Sequence, residues 1–220
     1  MKNYFTLLAL FFILTVNANE YYKATIYFTS GQQKEGFAEL PSNKTLDNAI
    51  KLRETQDGKS GRYDFDTIDK IIYYTDSGNE YVFERMSVTM LYGSKKKPKE
   101  HTYKKKVWFL LVFADPAINH YYTGQSYYID NEDRIITKTS DSSSKGVEMI
   151  LAFKRPDEEN PTRITAFLYG TVADGEEARF RRTAALYFRD EPELVERIKN
   201  KEFKADNVKA LAKAYVQYKK

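Results

Sequence analysis

Val107-Trp108-Phe109-Leu110-Leu111-Val112-Phe113 decides how this chain folds. Seven apolar residues stand in a row, rich in the β-branched and aromatic types that suit extended backbone. A run this short and continuous predicts a strand buried on both faces. Asp115-Pro116 ends it, because proline restricts the backbone of the residue before it. Immediately upstream, Gly93 to Lys106 carries seven lysines, one proline and one glutamate. That segment, 94–106, is expected to be either a linker between two halves of the molecule or the long loop of a hairpin.

Toward the N-terminus, short strands and turns succeed one another. Tyr22 to Phe28, the punctuation Ser30-Gly31-Gln32 and the return Glu35 to Leu40 form a hairpin signal. Pro41 to Lys44 is a loop. Ile50 to Arg53 alternates apolar and basic residues, as a strand with one wet face does. Thr55 to Gly61 is polar and glycine-bearing, a second loop. Tyr63 to Tyr74 and Glu80 to Tyr92 are predicted to be paired strands joined by the turn Asp76-Ser77-Gly78-Asn79.

Toward the C-terminus, Tyr121 to Ile129 and Arg134 to Thr139 read as strands around the turn Asp130-Asn131-Glu132-Asp133. Val147 to Lys154 and Arg163 to Val172 are two more, and Asp141 to Gly146 is a serine-rich loop. Arg179 to Tyr187 fits either a further strand or the start of the helical part. Asp190-Glu191-Pro192-Glu193 is a capping-box variant with Asp190 as the cap and proline in the first turn. Leu194, Val195 and Ile198 then share one face. Asp206 is expected to cap a second helix, in which Val208, Leu211, Ala212 and Tyr215 recur at helical spacing. The expected fold is mainly β, of the α+β class. It comprises two small antiparallel β-sheet or barrel-like halves, residues 19–93 and 107–220, the second carrying a C-terminal pair of short helices.

Residues 1–18 read as a secretory signal peptide. Lys2 gives a positive end, Tyr4 to Val16 an apolar core, and Val16-Asn17-Ala18 a small-residue cleavage site. The apolar core falls short of the roughly 20 residues that span a bilayer, and no later run is long and apolar enough. The expected location is a periplasm or the outside of the cell. Without Lys2, 34 basic residues face 31 acidic ones, a net charge of +3. This mild balance lacks the strongly basic face of a nucleic-acid binder. The chain has no cysteine, so its stability comes from packing and not from disulfides.

Three features together resemble uncharacterised small exported β-rich proteins of Bacteroidetes type: the leader ending Val16-Asn17-Ala18, the hairpin Ile26 to Gly36 followed by Phe65 to Ile72, and the tail Tyr187-Phe188-Arg189-Asp190-Glu191-Pro192-Glu193-Leu194 running into Ile198 and Phe203. The resemblance implies export and architecture. It implies no activity.

No catalytic residue is predicted. A nucleophile triad needs a base, and histidine is the usual one. His101 sits among lysines, and His120 reads as a loop histidine bonding backbone. Gly-x-Ser-x-Gly, cysteine and glycine-rich phosphate loops are all missing. The Asp130 to Asp133 cluster lacks the glycine and distal glutamate of a calcium loop, so it reads as a turn, and neither metal nor cofactor is expected.

Two features remain as binding candidates. One is the lysine run Lys95, Lys96, Lys97, Lys99, Lys104, Lys105 and Lys106, suited to an anionic surface. The other is the tyrosine doublets, of which alternation turns one ring outward; Tyr121 and Tyr127 are the candidate contact rings. Asn43-Lys44-Thr45 also matches a glycosylation acceptor. The expected function is that of an exported, non-enzymatic envelope or secreted binding protein whose partner is an anionic envelope surface or a glycan. Two alternatives stand: a hydrolase of envelope glycans using paired carboxylates, and a structural accessory subunit of an envelope complex.

Overall fold

A computed structural model describes residues 20–94, 96–138, 148–168, 171–172 and 175–220. The leader 1–18, Lys95 and the Asp141–Gly146 loop lie outside the described residues. The chain is mainly β, with a large sheet, a small two-stranded sheet and three C-terminal helices.

Strands β1 (Tyr22–Phe28), β2 (Gln33–Ala38), β3 (Ala49–Arg53) and β4 (Ser60–Asp64) form an antiparallel meander. β5 (Ile68–Tyr74) returns to the free side of β1, and β6 (Glu80–Met86) pairs with β5. The single strand expected from Tyr63 to Tyr74 is interrupted by a 3-10 turn at Phe65–Thr67. Asp64 caps that turn, accepting from the Asp66 amide at 3.3 Å. The interruption swings Phe65 into the core, edge-on to Trp108 at 5.6 Å between ring centroids.

The strand expected from Glu80 to Tyr92 also divides, into β6 and β7 (Thr89–Ser94). At the break, the Ser87 amide donates to Asn160 Oδ1 at 3.1 Å and the Thr89 amide to the Pro161 carbonyl at 2.9 Å. β7 therefore leaves β5 and joins the far end of the sheet. There it carries β8 (Lys97–Thr102) as the second strand of a hairpin. The segment 94–106 is thus a hairpin and not a linker between separate sheets.

β9 (Val107–Phe113) pairs with β6 on one side and β10 (Asn119–Thr123) on the other. The strand expected from Tyr121 to Ile129 breaks at Gly124. A Cβ there would lie 2.8 Å from Thr137 Cγ2, so only glycine allows the close approach. Beyond it, β11 (Ser126–Ile129) and β12 (Ile135–Lys138) form a separate hairpin. β13 (Glu148–Lys154), β14 (Thr162–Leu168) and the short β15 (Thr171–Val172) complete the sheet. Its order is β4-β3-β2-β1-β5-β6-β9-β10-β13-β14-β7-β8, with β15 on β14. The neighbours are antiparallel except β14 and β7, which are parallel over Thr162–Thr89 and Arg163–Met90. Among the described residues no closed barrel forms.

β9 is buried on both faces and meets every core cluster. Trp108 and Leu110 join Ile26, Ile71 and Phe83 in the first. Phe109 joins Met86, Val88, Tyr121 and Ala152 in the second. Phe113 packs against the third, where Phe153 and Ile164 meet the helices. Burying side chains of this size contributes roughly 1.5–3 kcal/mol each. The cores do not follow the expected division into 19–93 and 107–220. Tyr127 and Ile135, from the β11–β12 hairpin, belong to the first core, and the sheet continues from β6 into β9.

The helical part contains α1 (Glu176–Tyr187), α2 (Pro192–Lys199) and α3 (Val208–Tyr218), three helices where a pair was expected. Arg179 to Tyr187 is therefore helical, and Phe180, Ala184 and Tyr187 make its buried stripe. The predicted faces of the other two are buried as expected. Their caps differ. Glu191, not Asp190, occupies the N-cap of α2, because Asp190 is drawn to Arg155 at 2.6 Å and Tyr215 at 2.9 Å. Asn207, not Asp206, caps α3 by accepting from the Ala210 amide. No described helix is long and apolar enough to cross a membrane.

Candidate functional site

The loop between β2 and β3 is built around Asn43. β10 ends at Thr123, which leaves Trp108 without a β10 neighbour on one side, while Arg85 of β6 faces it on the other. Asn43 takes that place. Its Oδ1 accepts from the Trp108 amide at 2.7 Å, and its Nδ2 donates to the Trp108 carbonyl at 3.0 Å. Nδ2 also reaches Thr123 Oγ1 and the Gly124 carbonyl, both at 2.8 Å. The Asn43 amide donates to the Gln125 carbonyl at 2.8 Å. A side-chain amide carries one acceptor and one donor group, so it can imitate a strand residue. The same engagement leaves Asn43 no free amide for a glycan.

The other end of the loop is held where the Phe65 amide donates to the Asn48 carbonyl at 2.8 Å. Fixed at both ends, the loop projects Leu46 into solvent at 92% exposure. Beneath it lies a groove of about 590 Å³. Leu46 and Tyr128, the latter 41% exposed, are the exposed large hydrophobic residues of its lining. Its charged lining is balanced: Glu20, Glu39 and Asp47 against Lys44, Lys51 and Arg62. Glu39 pairs with Lys51 at 3.0 Å, and Arg62 donates to Asn48 Oδ1 at 2.5 Å. Tyr22 donates to Glu20, and burial with that carboxylate pushes its pKa up. No sequence motif marks this groove; a loop leucine between threonine and aspartate is the only trace of it.

The tyrosine candidates require correction. Tyr121 is 0% exposed and Tyr127 is 7% exposed, so neither presents its ring to a ligand. Tyr121 donates to Glu84 Oε2 at 2.8 Å, and burial pushes its pKa up. Tyr127 donates to the Trp108 carbonyl at 2.8 Å, and burial pushes its pKa up to about 12. In these two doublets the opposite member, Tyr122 or Tyr128, is the more exposed. Of those, Tyr122 is half-buried and donates to the Ile135 carbonyl at 2.8 Å, which leaves Tyr128 as the accessible ring.

Lys96, Lys97 and Lys99 are exposed on the β7–β8 hairpin, and Lys104, Lys105 and Lys106 are exposed on the way into β9. None of the six makes an ion pair among the described residues. Lysine and proline on this edge strand also discourage pairing with other chains.

His120 requires correction as well. It lies in β10, 4% exposed, packed on Phe153 at 5.3 Å, and neither ring nitrogen has a hydrogen-bond partner. Burial, reinforced by the Lys209 charge, pulls its pKa down to about 3. The Asp130–Asp133 segment is a turn: the Asp130 carboxylate accepts from the amides of Glu132 and Arg134. Asp133 accepts from the Ser77 amide at 2.8 Å, docking that turn on the β5–β6 connection. The Arg134 guanidinium, together with these amides, holds the Asp130 carboxyl below the usual range, and the Ser77 amide does the same for Asp133. Among the described residues, no group of three or more histidine, aspartate or glutamate side chains is placed to hold a metal ion.

Comparison of the chain with protein-family models, curated proteins and solved structures finds no match.

Proposed function

We propose that the protein is an exported, non-enzymatic binding module of the cell envelope or its surroundings, and that the groove beneath Leu46 takes an uncharged polar chain of glycan type. One observation carries this reading. A loop tied down by five hydrogen bonds of a single asparagine holds an apolar side chain out in water, above a groove bearing an accessible tyrosine. Loops held in place by a rigid scaffold are where binding residues concentrate. The groove volume falls within the range of small-ligand sites. Three acids against three bases favour a ligand without net charge. A tyrosine face suits the apolar side of a sugar ring. Glu39 and Glu20 are occupied by Lys51 and Tyr22, which favours binding over acid–base chemistry. The leader and the resemblance to small exported proteins support the location.

Calorimetric titration with neutral tetrasaccharides of glucose and N-acetylglucosamine tests the reading. The double variant Leu46→Ser, Tyr128→Ala should lose at least tenfold in affinity with unchanged thermal unfolding. Full affinity in that variant, or no binding across the panel, overturns the groove as the site.

A further inference from the structure

We infer that one face of the β7–β8 hairpin, carrying Tyr92, Lys97, Lys99 and His101 and continued by Tyr103, docks the protein on an anionic lipid bilayer. Four large apolar or aromatic side chains are exposed among the described residues. Leu46 and Tyr128 belong to the groove. The other two, Tyr92 at 48% and Tyr103 at 51% exposure, stand on this hairpin and at its exit. Lysines alone would be explained as guards of an edge strand. Exposed rings beside them oppose that purpose, because they invite association.

Strand alternation sorts the hairpin into two chemically different faces. Opposite residues share a face, and the Thr89 and Thr102 hydroxyls, opposite each other, meet at 2.8 Å. With them go Leu91, which packs against the core that contains the helices, and its partner Glu100. The other face holds Tyr92 opposite Lys99 and Ser94 opposite Lys97, with His101 next along β8. Tyr103 continues it, its ring edge-on to His101 at 5.2 Å between centroids. Among the described residues of the hairpin, none on this face is acidic. Lys97 and Lys99 make no ion pair and stack on no ring among the described residues, and the same holds for Lys104 and Lys105 on the way into β9. Lys106 differs, because its charge acts on Asp66.

A bilayer fits this face better than other polyanions do. Ammonium groups on flexible stems act as point charges and lack the paired geometry that reads one particular phosphate or sugar acid. Clustered lysines are drawn to a negatively charged lipid surface. Tyrosine rings settle at the level of the headgroups, with the ring body toward the apolar layer and the hydroxyl in water. An acidic polysaccharide would meet the lysines and give the rings no layer to enter. β8 is the last strand of the sheet order, so its outer flank has no neighbouring strand in the way. Gly93 keeps the hairpin tight: it has φ +93°, and a Cβ there would lie 2.5 Å from the Lys97 carbonyl oxygen. The groove shares no lining residue with the hairpin, and the inference does not depend on it.

The test uses the full chain, sedimented with phosphatidylcholine vesicles that contain or lack phosphatidylglycerol. Sedimentation should require phosphatidylglycerol and fall with added salt. The charge variant Lys97→Gln, Lys99→Gln should weaken vesicle binding by roughly tenfold or more, with unchanged thermal unfolding. The control variant Lys204→Gln, Lys213→Gln removes the same charge from exposed positions elsewhere and should bind nearly as well as the parent chain. In Tyr103→Trp, vesicles should move the added emission to shorter wavelength, against the constant background of the buried Trp108. Equal binding by the charge variant, an equal loss in the control variant, or no wavelength shift overturns the proposal. So does equal sedimentation with phosphatidylcholine alone, or capture by soluble alginate without sedimentation on vesicles. The variant Leu46→Ser, Tyr128→Ala should sediment normally, which separates this face from the groove.

Discussion

The two ends of the molecule are locked by opposite chemistry. At the β11–β12 end, neutral groups converge on one peptide. Asn43, Thr123 and Tyr127 all donate to the Trp108 carbonyl, at 3.0, 2.7 and 2.8 Å. At the helical end, a cation sits among rings. The Arg155 guanidinium lies 4.6 Å from the Tyr187 ring centroid and 5.1 Å from that of Tyr215. It donates to the Tyr187 carbonyl at 2.9 Å and to Asp190 at 2.6 Å, and Asp190 also pairs with Lys219 at 3.0 Å. Burial alone would raise the Asp190 pKa; Lys219, Tyr215 and Arg155 outweigh it and hold the carboxyl low. The difference predicts that one end ignores salt and pH while the other responds to both.

The largest effect should come from the neutral lock. Asn43→Ala leaves the buried Trp108 amide without its acceptor and takes away one of three donors to the Trp108 carbonyl, and should cost about 3 kcal/mol, read by urea unfolding. A cost below about 1 kcal/mol would mean that water replaces the amide. The next effect belongs to the helical end and concerns His120. Its pKa is depressed to about 3 in the folded chain, against about 6.5 unfolded. Above pH 6.5 both states are neutral and nothing is lost. As pH falls from 6.5 toward 3, only the unfolded chain takes up the proton, so stability drops by about 1.4 kcal/mol per unit. Hydrogen exchange should show the helical end weakening first between pH 7 and 5, and His120→Phe should flatten the dependence. Equal weakening of both ends would break the comparison. The smallest effect is Arg155→Lys, which keeps the charge but loses the planar stacking and the fork. It should cost about 1–2 kcal/mol, shrinking as added salt screens the charged contacts.

These differences were unequally legible in the sequence. The run from Val107 to Phe113 told its burial directly, because seven adjacent apolar residues have no wet face to offer. The helical faces were equally plain from their spacing. The break at Ser87 was not, since its cause is a hydrogen bond donated to Asn160, far along the chain. Alternation indicated that one ring of the Tyr121-Tyr122 doublet is buried, yet the face that is buried depends on register with β9 and β13. Asp190 looked like a cap because local chemistry allows it; Arg155 and Tyr215 compete for it from other elements. The groove was invisible for the same reason. Leu46 becomes informative only once Asn43 is seen to hold its loop.

The crossing of β7 to the far edge has a consequence for synthesis. Its partner strand, β14, is made some seventy residues later, so the β7–β8 hairpin must wait on the ribosome's progress before its neighbour exists. A nascent chain stalled before Arg163 would carry a bare strand flank, and the lysines beside it would then act as its guard against self-association.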